Sequence, residues 1–461
     1  MFKDTIYVQR RRLLRKAVGG GVLLFMGNEE SPMNYTANAY DFRQDSSFLY
    51  YFGLDSPGLA GIIDVDESRD ILFGDDVGIE DIIWMGAMPG LRERAAAVGV
   101  RRTKARKELA AYLSGALSAG RPVHYLPPYR ADTARDIGSL LRIPAKNVKA
   151  RASLSLIRAV VDQRLIKSGE EIAEIENALG VTAEMYRIAM RLTRPGRYER
   201  EVAGAMEGIV RALGCRMAFP PIVTVNGQVL HNHGYANELR RGRLLVIDAG
   251  AESWDHYAAD ITRTIPVGGV FNRRQRDVYE IVLSGQETAI RAIKPGVSFK
   301  DVHLKAAKTM ASGLKGLGLM KGDPGDAVAQ GAHALFFPHG LGHNMGLDVH
   351  DMENYGEDHV GYGDGVRRSE QFGLAYLRMA KTLEPGHVLT VEPGLYFIPA
   401  LFAKWRKEKK FPDFVNYDKV EKYLDFGGVR IEDDVLVTKR GRRVLGPHIP
   451  KFPADVEKAC R

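Results

Sequence analysis

The chain of 461 residues reads as an α+β protein in which a smaller α/β unit precedes a larger one. Three observations predict this. Strand-like and helix-like segments alternate through roughly the first third of the chain. The composition then shifts, from the largely apolar residues 152–161 to the more polar residues 162–168 and a helix start. Beyond Ile222 the strands become short, apolar and dense, with long helices between them. Domains of roughly 100–200 residues allow two or three units in this length. The boundary is placed to give residues 1–162 and 163–461.

Within the first unit, the residues before the apolar run at 22–26 suggest an amphipathic helix. Residues 22–26 and 60–65 read as strands, and residues 68–73 as the hairpin partner of the second. Residues 92–113 are rich in Ala, Arg, Leu and Glu and predict one helix. Arg10, Arg11 and Arg12 before the apolar run loosely mimic a secretion signal. The run is too short for an apolar segment of about 7–15 residues, and glycines interrupt its approach.

Ser168 followed by Glu171 is a capping box, in which the serine oxygen accepts from an orphan N–H and the glutamate reaches back. Ile172, Ile175, Ala178 and Leu179 continue a helix to about residue 192, where Pro195-Gly196 ends it. Strands are expected at 244–247, 261–267, 388–391 and 429–438, and helices at 272–293 and 299–314. Residues 351–368, rich in Gly and Asp, predict a loop.

Composition excludes several classes. With 45% hydrophobic and 26% charged residues, the chain is neither disordered nor collagen-like. No apolar run approaches 18 residues, which excludes a membrane-spanning helix. Two cysteines, Cys215 and Cys460, build no disulfide framework and no zinc motif. This fits a reducing compartment, and a cytoplasmic location is expected. The net charge of +8 comes from 65 basic residues among 57 acidic ones. That mixture describes a solvated surface, with neither nucleic acid nor membrane as partner.

Four segments carry chemistry. Asp248 ends one strand and Asp260 begins the next, equidistant from Trp254. A hairpin turning there sets the carboxylates directly opposite, about 4.5–5.5 Å apart at Cβ. Such a pair needs a cation or a proton between them; aspartates that merely sit in turns are the alternative. The segment HGLGHNMGLDVHD places His339, His343 and His350 in a glycine-rich loop that can aim imidazoles inward. VLTVEPG ends a buried-looking strand in Glu392; Glu384 also precedes Pro-Gly and is read as a turn residue. GGVRIEDD puts Arg430 and Glu432 on one face of a strand. That pair is either solvated or a carboxylate ligand with an arginine orienting it. Together these segments offer four carboxylates and one or more imidazoles. The set suits Mn²⁺ or Mg²⁺, and the histidine admits Co²⁺, Zn²⁺ or Fe²⁺. Paired divalent ions perform hydrolytic chemistry.

The order Asp, Asp, His, Glu, Glu in the contexts DAG, DITRT, HGLGH, VEPG and RIEDD resembles the pita-bread metallopeptidases, in their aminopeptidase P and prolidase branch. DFRQDSSFLYYFG at 41–53 resembles the creatinase-like N-terminal domain of these enzymes. The resemblance implies a C-terminal pita-bread domain and a proline-specific metalloprotease that hydrolyses Xaa-Pro bonds. Asp248, Asp260, His343, Glu392 and Glu432 would hold a dinuclear centre, with Mn²⁺ expected and Co²⁺ or Zn²⁺ acceptable. Asp260 and Glu432 would bridge both ions. Glu392 would act as general base, and His231 and His350 would contact substrate. Arg430 would support the ligands, and Arg378 stands where prolidases place an arginine for the substrate carboxylate.

The resemblance further implies an Xaa-Pro aminopeptidase, with a prolidase as the alternative and a catalytically inactive binding module as the reading from another class. It also implies a homodimer or homotetramer. One departure stands out: the hairpin aspartates lie twelve positions apart where relatives typically have eleven. The extra residue, within 253–256, predicts a longer tip or a bulge with both aspartates retained.

Overall fold

The computed structural model describes residues 2–363 and 365–461. The chain divides into two compact units. One comprises Met1–Arg164 with Met352–His359, the other Leu165–Asp351 with Val360–Arg461.

In the first unit five strands form a mixed sheet, in the order Arg102–Lys104, Arg69–Phe73, Ala60–Asp64, Val22–Met26, Val123–Tyr125. The three central strands pair antiparallel and the two outer ones join parallel. Val22–Met26 is apolar at every position because both faces of the sheet are covered. Val22, Leu24 and Met26 share a core with Leu109 and Leu113. Phe25, on the other face, packs against Tyr51 and Phe52 of the helix Ser46–Phe52.

The basic run at 10–12 is partly internal. Arg11 is fully buried and donates to Asp70 and to the carbonyls of Tyr51 and Val98. The single helix expected over 92–113 is instead two, Leu91–Ala97 and Leu109–Ser118, with the edge strand Arg102–Lys104 between them. Gly99 at φ +70° makes the break, since a left-handed residue ends a helix and glycine adopts it at no steric cost.

The second unit begins with the expected capping box. Ser168 Oγ accepts from Glu171 N, and the Glu171 carboxylate accepts from Ser168 N, at the start of the helix Gly169–Leu192. The helices Arg273–Ala292 and Phe299–Gly316 pack against each other. The strands form small separate sheets. One has the order Ile261–Pro266, Leu244–Ala249, Ile222–Thr224, and another Val388–Val391, Asp433–Thr438, Gly441–Val444.

The run 429–438, expected as one strand, is split. Gly428–Arg430 pairs with Gly394–Tyr396, and Asp433–Thr438 pairs with Val388–Val391. Both partners break at the same place, where Pro393 has no N–H for the ladder. The register is the same on either side, Val391 facing Asp433 and Gly394 facing Arg430. Glu392 is therefore set across from Glu432.

Candidate metal centre

The first hairpin carries two carboxylates in a register that differs from the expected one. Asp248 faces Thr262, not Asp260. The ladder continues outward through a bridge between Glu252 and Ala258, and Ser253 N donates to Tyr257 O. The tip is thus centred on Asp255, one residue beyond Trp254, and His256 takes a left-handed conformation at φ +67°. Asp248 and Asp260 consequently lie on one face as diagonal neighbours, which still brings long side chains within reach. The directly opposed carboxylates are Glu392 and Glu432.

The loop 339–351 forms no helix and runs against Val388–Val391. His343 N donates to Thr390 Oγ1, and Thr390 N donates to His343 O. A Cβ on Gly342 would meet Thr390 O at 2.0 Å, so only glycine permits this approach. His343 Nδ1 lies 3.1 Å from Asn344 O. Donation there leaves Nε2 as a lone pair, 3.4 Å from Asp260 Oδ2 and 3.7 Å from Glu392 Oε1. This is the tautomer a metal-ligating histidine needs.

One ligand atom each from Asp260, His343 and Glu432 lies within 4.8 Å of the others, and all three residues are buried. Burial first, and then the neighbouring Asp248, push the Asp260 carboxyl well above the ordinary range. Burial and Asp260 do the same to Glu432. Glu392 is also raised by burial, against the pull of His343 and Arg430. Asp248 Oδ1 and Asp260 Oδ1 are buried without a hydrogen-bond partner among the described residues. Unpaired buried carboxylates of this kind are costly unless protonated or bound to a cation. The donor set fits a hard divalent ion.

Arg430 and Glu432 are buried, which removes the solvated reading of that strand. Arg430 Nη2 donates to Asp248 Oδ2 at 2.6 Å, and its Nε donates to Thr262 Oγ1 at 3.2 Å. Thr262 Oγ1 donates onward to Glu432 Oε2 at 2.6 Å. Arg430 Nη1 also donates to Tyr396 Oη at 3.0 Å, and that hydroxyl sits 2.8 Å from His339 Nε2. Since arginine only donates, the tyrosine O–H is free to donate to His339. Burial and Arg430 hold the His339 pKa down to about 3, so the ring is neutral. Its Nδ1 lies 2.7 Å from Gly340 O and 3.9 Å from Glu392 Oε2.

The remaining expected residues lie around this cluster. The His350 ring is 4.0 Å, centroid to centroid, from the His343 ring. His231 is exposed, in the turn after Ile222–Thr224; desolvation and the nearby Arg430 lower its pKa. Arg378 is half-buried, and its charge reaches both His231 and Glu392. Sequence reasoning assigned no role to Thr262 or Tyr396, and named His339 only as one of the inward-aimed imidazoles of its loop. Thr262 shares the parity of Asp260 along its strand, and His339 opens the HGLGH segment, so both left a signal. Tyr396 left none.

The chain resembles known proteins over nearly its whole length. The metallopeptidase family M24 model matches residues 173–439, and that of the aminopeptidase P N-terminal domain matches residues 7–124. The Xaa-Pro aminopeptidase of Escherichia coli strain K12 is 34% identical over 98% of this chain and 96% of its own length. The Xaa-Pro dipeptidase of Homo sapiens is 32% identical, over 96% and 88% respectively. Zinc-substituted Escherichia coli aminopeptidase P in complex with product superposes with a TM-score of 0.82 at 32% identity, covering 100% of this chain and 98% of that one. The fold and site define a metallopeptidase with a pita-bread catalytic domain. The chain belongs to metallopeptidase family M24, in its aminopeptidase P and prolidase branch.

Proposed function

We propose that this chain is an Xaa-Pro aminopeptidase, a dinuclear-metal exopeptidase whose ions are held by Asp248, Asp260, His343, Glu392 and Glu432. The observation that carries the reading is the buried convergence of Asp260 and Glu432 on His343, with one oxygen of Asp260 left without a partner among the described residues. The four carboxylates alone match two divalent cations in charge, and Arg430 is already paired with Asp248. Mn²⁺ is the expected ion, and Co²⁺ and Zn²⁺ suit the same donors. When bound, such ions polarise a carbonyl and lower the pKa of water.

The chain's own residues supply the rest. Glu392 is the general base: its Oε1 reaches the cluster, 3.7 Å from His343 Nε2. His231 and His350 orient the scissile carbonyl and donate to the oxygen on which charge develops. Arg430 and Thr262 fix the carboxylates of Asp248 and Glu432. An Xaa-Pro amide has no N–H to grip, and this site asks for none, because it acts on the carbonyl side.

The domain limits 1–162 and 163–461, the homodimer or homotetramer and the cytoplasmic setting belong to the same reading. No helix among the described residues is long and apolar enough to cross a membrane. The test is hydrolysis by chelator-stripped protein with and without Mn²⁺, on Ala-Pro beside Ala-Pro-Ala. Metal-dependent release of Ala from the tripeptide is expected. Cleavage of the dipeptide alone would make the chain a prolidase with Arg378 clamping the carboxylate. Cleavage of neither would leave an inactive binding module.

A further inference from the structure

Behind the candidate centre, on the far side of the same strands, lies a second buried cluster with no part in the proposed chemistry. Arg263 is the neighbour of Thr262, and Asp433 the neighbour of Glu432. Alternation along the backbone turns both away from the centre. Arg263, Asp433, Gln286 and Lys451 are all buried. Arg263 Nη2 donates to Asp433 Oδ1 at 2.7 Å. Lys451 Nζ donates to Asp433 Oδ2 at 2.8 Å and to Gln286 Oε1 at 3.0 Å, and lies 2.7 Å from Glu287 Oε1. Gln286 Nε2 donates to Asp433 Oδ2 at 3.1 Å.

The bonds left over go to backbone carbonyls, and their choice is informative. Arg263 Nη1 donates to Glu432 O at 2.6 Å and to Thr262 O at 2.9 Å. Gln286 Nε2 donates to Val391 O at 3.3 Å, the residue before Glu392. Val391 O and Glu432 O flank the point where both ladders are interrupted at Pro393, and there Glu392 N and Glu432 N donate to Leu341 O and Thr262 O rather than to each other. Arg263 and the nearby Tyr279 tie in the C-terminal stretch. Arg263 donates to Ile449 O and Pro450 O, and Tyr279 Oη donates to Lys451 O.

We propose that Arg263, Asp433, Gln286 and Lys451 are positioning residues for the metal centre. They clamp the backbone that carries Glu432 and Glu392 against the mutual repulsion of the carboxylates. Residues 449–451 are thereby part of the frame that sets metal affinity, although none of them reaches the centre. The inference rests on the metal reading above.

The test compares wild type, Lys451→Met, Lys451→Arg and Gln286→Leu in the full chain. It reads Mn²⁺ affinity by calorimetry, the visible spectrum of the Co²⁺-loaded protein, and the unfolding temperature. Outer-sphere residues around metal ligands typically cost 10–100-fold in affinity. Lys451→Met is expected to weaken Mn²⁺ binding about 10–100-fold and to alter the Co²⁺ spectrum, with Lys451→Arg recovering most of both. Gln286→Leu keeps the Lys451–Asp433 pair and decides the matter if Lys451→Met does not fold. A lowered unfolding temperature with Mn²⁺ affinity and Co²⁺ spectrum unchanged would overturn the proposal and leave a purely structural cluster. Wild type that takes up no metal would overturn the functional reading and this inference together, whereas normal uptake by wild type and variants alike removes the inference only.

Discussion

Glu432 and Asp433 are consecutive, both buried, and opposite in electrostatic character. Glu432 faces three other carboxylates and is pushed far above the ordinary range by burial and by Asp260. Asp433 is buried too, but Arg263 and Lys451 more than offset that burial and hold it below its ordinary value. Burial is common to both, so partners decide the outcome. Behind the strands each charge is matched, which is how a buried ion pair becomes tolerable. In front of them matching is left incomplete, with Asp248 Oδ1 and Asp260 Oδ1 unpartnered among the described residues. A protein keeps such a cluster at a cost in stability where a cation completes it.

The comparison predicts opposite effects from two adjacent isosteric changes. Glu432→Gln removes a metal ligand and should lower activity by more than the ~10–100-fold of an outer-sphere residue. It should leave the metal-free protein as stable as wild type or more so, because a repelled buried carboxylate is gone. Asp433→Asn should destabilise the metal-free protein by about 3–5 kcal/mol, since Arg263 and Lys451 lose their counter-charge. Chemical denaturation of the stripped proteins measures both, and the same sign for the two would break the contrast.

A second prediction concerns pH. In metal-free protein Asp260 and Glu432 have raised folded-state pKa values, so the folded state keeps protons that the unfolded chain releases above about pH 4–5. Their contribution to stability is present below that range and is lost as pH rises. Between pH 5 and pH 8 the unfolding free energy of the stripped protein should therefore fall relative to that of stripped Glu432→Gln, and Mn²⁺ should reverse that difference. A difference that does not change with pH would contradict the crowding of carboxylates.

Two smaller effects sharpen the picture. Tyr396→Phe deletes the hydroxyl joining Arg430 to His339 and should reduce kcat/KM by roughly 10–100-fold with metal content unchanged. His303 and His333 form a buried pair away from the centre, with pKa values lowered to about 3 and about 4, chiefly by burial. Their folded pKa lies below the unfolded value, so stability is complete above about pH 6.5 and is lost as pH falls toward 3. His303→Leu should narrow the stability gap between pH 7.5 and pH 5 by about 2 kcal/mol, measured by urea denaturation.

Much of the centre was legible because its chemistry is local. Asp248, Asp260 and Glu392 sit at strand ends, and His343 stands among glycines, so each context stated where a side chain is held. What stayed hidden depends on register and on distant contacts. The hairpin turns one residue past Trp254, because His256 takes up a left-handed position that no proline or glycine announces. That shift makes the two aspartates diagonal neighbours rather than a directly opposed pair. The break at Pro393 was visible, but its twin at Glu432 follows only from pairing. Lys451 and Gln286 are 165 residues apart and Thr262 and Glu432 are 170 apart, separations at which one sequence carries no pattern. The helix expected over 92–113 failed for a local reason, the left-handed Gly99, which composition outweighed.

The most direct test of the account is a titration of chelator-stripped protein with Mn²⁺ near pH 7, counting ions bound and protons released per chain. Carboxyls held above their ordinary range must give up protons when a cation displaces them. The account predicts two ions per chain and a net release of protons. No uptake, or uptake without proton release, would contradict it.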